Sequence, residues 1–209
     1  MRILIADDHA IVRKGLIQIL NETPDVFNIE EASNGWEAIE KAKKTAYSVV
    51  LLDISMPGMN GLDVLKQLKI ENPNLPVLVL SMYPEEQYAV RILRAGASGY
   101  LTKESAPDEL VKAVRLVARG KSYISPNVAE QLVLNLSSGG EDLPHSRLSD
   151  REFQVLCMIA SGHSIKQIAT ELSLSVKTVS TYRARILEKM GMTNNAEIIS
   201  YAIKNELLI

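Results

Sequence analysis

Through residue 119 the chain alternates short, mostly apolar runs with longer helical patterns, the run at 26–32 being the weakest of them. That alternation constrains the fold more than any other feature. Apolar runs fall at residues 2–6, 26–32, 48–52, 76–81 and 98–102, and helical patterns at 9–21, 35–45, 61–71, 85–95 and 107–119. A strand whose apolar residues run on without alternation, as at 48–52 and 76–81, has no face to offer water, so helices must cover its sheet on both sides. Five strand–helix units in a row predict a parallel, doubly wound α/β domain.

In such sheets ligands collect outside the carboxyl ends of the strands. Asp7 and Asp8 follow the first run, Asp53 the third, and Lys103 the fifth; Ser81 ends the fourth. Each residue has a plain reading by itself. Asp8 could cap the next helix, and Asp53 could be a turn residue. Their arrival at one sheet edge argues for chemistry instead. Three converging carboxylates repel, and a hard cation such as Mg²⁺, which takes oxygen ligands and keeps waters, relieves the repulsion. A carboxylate there can attack phosphorus and form an aspartyl phosphate. Mg²⁺, the Lys103 ammonium and the Ser81 hydroxyl would meet the incoming phosphoryl oxygens.

The second part of the chain changes period. Residues 137–144, small and polar and closed by Pro144, read as a linker, and 125–136 as one more helix leading into it. Beyond Pro144 the pattern is all helical. Ser149 and Glu152 form a capping-box pair. Ser164 caps a short helix at 165–172, a turn occupies 172–175, and Ser175 caps a longer helix at 176–190 stopped by Gly191. A last helix covers about 194–206. Short helix, turn and longer helix make a helix-turn-helix. Ile168, Ala169, Leu172, Val179, Ile186 and Leu187 are its candidate core. Residues 176–190 carry four basic side chains and one acidic one, a charge that suits the major groove and equally suits a solvated helix face. The candidate DNA-contacting residues are Lys177, Thr178, Ser180, Thr181, Tyr182, Arg183, Arg185 and Lys189.

Charge follows the same division. The whole chain carries −2, which by itself argues against nucleic acid. Residues 1–144 hold 15 basic and 19 acidic residues, and residues 145–209 hold 8 and 6. The average therefore hides an acidic part and a basic part. One cysteine, Cys157, excludes an intrachain disulfide framework or cysteine metal cluster. No apolar stretch is long enough to span a bilayer, and the start lacks a secretion signal's apolar core, so a cytoplasmic setting without membrane contact is expected.

These residues carry two resemblances. DD at Asp7–Asp8, LLDISMPGMNG around Asp53, LS at Leu80–Ser81 and GYLTK ending in Lys103 resemble the receiver domain of bacterial two-component response regulators. LSDREFQVL, SIKQIATELSLSVKTVSTYRARILEKMGM and AEIISYAI resemble the LuxR-type helix-turn-helix of the NarL/FixJ group. The resemblance implies a flavodoxin-like receiver over residues 1–122, a linker helix and flexible linker over 123–147, and a four-helix DNA-binding domain over 148–209. It implies that Asp53 accepts phosphate from a sensor histidine kinase. Asp8, Asp53 and the Ser55 carbonyl would hold Mg²⁺ directly, with Asp7 acting mainly through water. Ser81 and Lys103 would hold the phosphoryl group, and Tyr100 would move inward as the switch. Double-stranded DNA, a second copy of the chain and RNA polymerase are the implied partners, with Ile198, Ile199, Ala202 and Ile203 of the last helix a candidate dimer surface or plain core. One departure stands out. Many members read TVK-x-H where this chain has Thr178-Val179-Ser180-Thr181-Tyr182, so a usual basic residue is missing.

Other classes remain open at this stage. A Mg²⁺-dependent phosphohydrolase of the haloacid-dehalogenase type shares the aspartyl nucleophile, but needs a carboxylate two residues on, where Ser55 stands. A regulator that works without phosphorylation would not need the intact acidic set. RNA binding lacks the aromatic platform common for single strands.

Overall fold

The computed structural model describes residues 1–25, 28–83, 85–126, 128–130, 132, 143–205 and 207. They form two compact units, Met1–Ala129 and Glu130–Ile209.

In the first unit five strands, β1 (Arg2–Ala6), β2 (Asn28–Ala32), β3 (Val49–Asp53), β4 (Val77–Ser81) and β5 (Gly99–Thr102), pair in parallel in the order β2-β1-β3-β4-β5. Between and after them come α1 (Ala10–Asn21), α2 (Gly35–Lys44), α3 (Gly61–Glu71), α4 (Glu85–Arg94) and α5 (Ala106–Ala118). The predicted doubly wound sheet is the observed one. Val26 and Phe27, expected to open the second strand, lie outside the described residues. Every residue of β3 and β4 is buried, as continuous apolar strands require. Alternate side chains serve opposite faces. Ile3, Ile5, Val49, Leu51, Leu78, Leu80 and Leu101 pack with Leu16 and Leu20 of α1 and Leu110, Ala113, Val114 and Val117 of α5.

The chain beyond α5 stays with this unit. Tyr123 bridges in parallel to Gly99, and its amide donates to the Ser98 carbonyl at 2.9 Å. Its hydroxyl donates to Glu109 of α5, and the Ser125 hydroxyl to Glu85 of α4. The compact unit therefore runs on to Ala129, past the expected boundary at 122. The helix expected over 125–136 is helical at Pro126, 128–130 and Leu132. Its remainder and residues 137–142 of the linker lie outside the described residues.

From Leu143 on, the second unit has a 3₁₀ turn at Pro144–Arg147, which sequence reading left inside the linker, followed by α6 (Asp150–Ala160), α7 (Ile165–Glu171), α8 (Val176–Met190) and α9 (Asn195–Lys204). Both Ser149–Glu152 and Ser164–Gln167 form capping boxes, and the Ser175 hydroxyl accepts the Thr178 amide. Gly191 ends α8 in the left-handed conformation. Ile168, Ala169, Leu172, Val179 and Ile186 are buried as expected, and Leu187 is half-buried. In α9, Ile198 and Ala202 are fully buried, whereas Ile203 is 62% exposed. Half of the candidate dimer surface is thus core. Among the described residues no helix is long and apolar enough to cross a membrane.

Candidate functional sites: an acidic pocket and a basic helix face

β3 extends one residue further than the apolar run suggested, so Asp53 is the last strand residue and not the first of the loop. Its side chain is completely buried. Parallel pairing brings the ends of β1, β3 and β4 level, which sets Asp7, Asp53 and Ser81 side by side. Asp7 is 1% exposed and Ser81 fully buried. Lys103, just past β5, reaches in and puts its Nζ 2.7 Å from Asp7 Oδ2 and 2.8 Å from Asp53 Oδ2. All five predicted residues meet at one edge.

The electrostatics follow from that burial. Desolvation, reinforced by the neighbouring Asp7 charge, pushes the Asp53 carboxyl above its usual range even though Lys103 pulls it down. Burial alone would lower the Lys103 ammonium, but the two carboxylates beside it outweigh burial and hold it above its usual value. The Ser55 amide donates to Asp53 Oδ1 at 3.0 Å and fixes the carboxylate's other oxygen.

Asp8 has no structural employment as a cap. The N-cap of α1 is His9, and no side chain caps that end. Asp8 Oδ1 is buried, with His9 Nδ1 3.0 Å away. Asp7, Asp8, His9 and Asp53 each offer a ligand atom, all within 4.8 Å of one another. Three carboxylates gathered this closely are the oxygen donor set that suits a hard divalent cation.

Sequence reading passed over two residues here. Arg13, one helical turn beyond His9, donates from Nη1 to the Asp7 carbonyl and from Nε to Glu31 of β2, both at 2.7 Å. It fastens the acidic loop to the neighbouring strand. The i+4 spacing from the loop was the only signal. His9 was visible beside Asp8, but its ring orientation was not.

Backbone shape around Asp53 depends on two glycines. Gly58 has a φ of +80°. Gly61 matters through closeness: a Cβ there would sit 2.4 Å from the Asp53 carbonyl oxygen and 2.5 Å from Ile54 Cα. On the far side, Ser81 Oγ accepts the Tyr83 amide at 3.0 Å. Tyr100 is 2% exposed and donates to the Tyr83 carbonyl at 2.6 Å. The ring expected to move inward is already inside here. Tyr83 stacks on Tyr88 with centroids 4.7 Å apart, so the loop after β4 is held by aromatic packing as well.

In the second unit Lys177, Thr178, Thr181, Tyr182 and Arg185 line one open depression on α8 together with Ser175. Ser180 and Val176 are exposed nearby on the same helix, Val176 by 50%. Thr181 turns its hydroxyl back to the Lys177 carbonyl. The remaining two candidates stand apart. Arg183 donates to Asn195 Oδ1 at 2.6 Å and ties α8 to the start of α9. Lys189 pairs with buried Glu152 of α6 at 2.6 Å. Net charge on the helix grouped all four basic residues; the packing divides them.

A five-stranded parallel sheet with this acidic edge, joined to a four-helix unit with a basic helix-turn-helix face, defines a two-domain response regulator. Residues 3–115 match the family of response regulator receiver domains, and residues 146–202 match the bacterial regulatory proteins of the luxR family. The chain belongs to the response regulators of the NarL/FixJ type. It is 37% identical to the response regulator GacA of Pseudomonas protegens over 208 residues, spanning 100% of this chain and 98% of that protein. It is 38% identical to the oxygen regulatory protein NreC of Staphylococcus carnosus over 215 residues, spanning 100% and 99%. Among solved structures it resembles RcsB from Salmonella enterica serovar Typhimurium bound to promoter rprA in the presence of phosphomimetic BeF₃⁻. That match has a TM-score of 0.63 and 29% identity, covering 96% of this chain and 97% of that one.

Proposed function

We propose that Asp53 is the phosphoacceptor and that its phosphorylation by a sensor histidine kinase switches sequence-specific binding of double-stranded DNA and so transcription. The observation that carries this is Lys103 seated between Asp7 and Asp53 at the ends of three adjacent strands. A buried carboxylate with a raised proton affinity is a competent nucleophile once a cation balances it. An Asp53 oxygen attacks the phosphorus of a phosphohistidine, the P–N bond breaks, and the freed imidazole takes up a proton. Lys103 then turns to the phosphoryl oxygens, and Ser81 gives up the Tyr83 amide to donate its hydroxyl to them.

Asp8, Asp53 and the Ser55 carbonyl would hold Mg²⁺, with Asp7 acting through water. Bound there, Mg²⁺ supplies charge neutralisation for the phosphoryl group. Loss of the Ser81–Tyr83 contact loosens the loop that Tyr100 and the Tyr83–Tyr88 stack otherwise hold, and the switch starts there. At DNA, Lys177, Thr178, Ser180, Thr181, Tyr182 and Arg185 face the major groove, and Arg183 and Lys189 brace the helix. Two copies would read half-sites about one helical turn apart. This reading sets the protein in the cytosol beside its DNA. A phosphohydrolase would need an acid at Ser55 and is disfavoured.

Selection of bound DNA sequences with and without a small phosphodonor tests the proposal. It predicts a two-fold symmetric site enriched more strongly by the phosphorylated chain. An identical yield from both forms and from Asp53→Asn would refute the switch.

A further inference from the structure

A run of hydrogen bonds and ring contacts joins the acidic pocket to the helix that starts at Pro126. Ser81 Oγ accepts the Tyr83 amide at 3.0 Å, and the Tyr83 carbonyl accepts the Tyr100 hydroxyl at 2.6 Å. The Tyr83 ring stacks on Tyr88, which is buried in the first turn of α4. Glu85 begins that helix, three residues before Tyr88 and so on the same face. Its carboxylate accepts the hydroxyl proton of Ser125. The same Ser125 oxygen accepts the Val128 amide at 3.4 Å, and the Ser125 carbonyl accepts the Ala129 amide at 3.0 Å. Ser125 therefore caps the helix beyond it and fastens that helix to α4. A second tie, from the Tyr123 hydroxyl to Glu109, holds the same strap to α5 instead.

We propose, resting on the reading of Asp53 as the phosphoacceptor, that the Ser125–Glu85 hydrogen bond is a latch. It is closed while Asp53 is unmodified and opened by phosphorylation. Once Ser81 turns its hydroxyl to the phosphoryl oxygens, the Tyr83 amide loses its acceptor and the loop leading to Glu85 shifts. A hydroxyl–carboxylate bond holds only with its oxygens about 2.5–3.0 Å apart, so a shift of about an ångström at Glu85 breaks it. The chain reaches the second unit through the helix that Ser125 caps. Opening the latch frees the start of that helix and lengthens the tether ahead of the DNA-binding unit.

Amide hydrogen exchange over residues 123–130 of the full chain tests the latch, with and without a small phosphodonor and with Asp53 labelling measured alongside. Exchange in the unaltered chain should quicken at least about tenfold on labelling, the effect of losing one hydrogen bond to a charged group. Ser125→Ala and Glu85→Ala should each exchange at the fast rate with or without phosphodonor, and the double variant no faster than either. Ser125→Thr keeps the hydroxyl and should keep the response. Tyr123→Phe removes only the tie to Glu109; it should quicken exchange in both states and leave the response to phosphodonor in place. Labelling without a change in exchange, or a response that survives Ser125→Ala, overturns the latch while the phosphoacceptor reading stands. A response lost equally in Tyr123→Phe marks the strap as scaffold and overturns the latch as well. Failure of Asp53 to label overturns both.

Discussion

At the residue scale the pocket is a balance of buried charges. Asp53 ionises with difficulty because it is buried beside Asp7, and Lys103 offsets only part of that cost. A carboxyl whose folded proton affinity exceeds its unfolded value destabilises the fold when ionised. Asp53→Asn should therefore raise stability at neutral pH by about 0.5–2 kcal/mol, measured by urea unfolding, and abolish labelling by a phosphodonor. Equal or lower stability would show that Lys103 fully compensates the site. Arg13 acts through Asp7. Arg13→Ala should weaken divalent-cation binding about tenfold, and Glu31→Gln should reproduce part of the loss because Glu31 orients the guanidinium. Calorimetric titration reads both. The carboxylates and Lys103 could be placed on one sheet edge from the sequence, but not the clamp on Asp7, because Arg13 of α1 is oriented by Glu31 of β2, eighteen residues further along the chain.

Elements show where local rules suffice and where packing overrides them. Helix caps obeyed their sequence signals because a serine oxygen satisfies amides only three residues away. The strap after α5 did not announce itself, because Tyr123 pairs with a strand formed over twenty residues earlier. A Cβ on Gly99 would lie 2.8 Å from the Tyr123 carbonyl oxygen and 3.0 Å from Leu78 Cδ1. Gly99→Val should cost about 1–3 kcal/mol and expose 121–126 to limited proteolysis; a protected strap would remove it from the receiver unit. In the second unit Glu152 is held below its usual proton affinity; burial opposes this, but Lys189 and the Ser149 amide prevail. Its contribution to stability is present above the unfolded carboxyl value and is lost as pH falls through the lower folded one. Glu152→Gln should flatten that acid limb in pH-dependent unfolding of the second unit.

For the whole molecule, the charge of −2 divides between a part that concentrates carboxylates and a part that concentrates cations on one helix. DNA affinity should fall with salt in proportion to the phosphates neutralised, about 0.9 per contact. Arg185→Ala should lower that slope by about one. Arg183→Ala, which removes a tie to Asn195 and not an exposed charge, should leave the slope nearly unchanged while lowering the stability of the second unit. A slope change for Arg183 equal to that for Arg185 would return Arg183 to the contacting face.

Fold class, element order and the five converging pocket residues were determined by sequence alone. Apolar periodicity, strand-end position and capping are set by neighbours in the chain, so they can be read along it. Three matters were decided only by tertiary structure: that the His9 ring turns toward the pocket, that Tyr123 extends the compact unit beyond α5, and that Arg183 and Lys189 brace α8. Each depends on which distant side chain occupies the adjoining space, and periodicity carries no information about that.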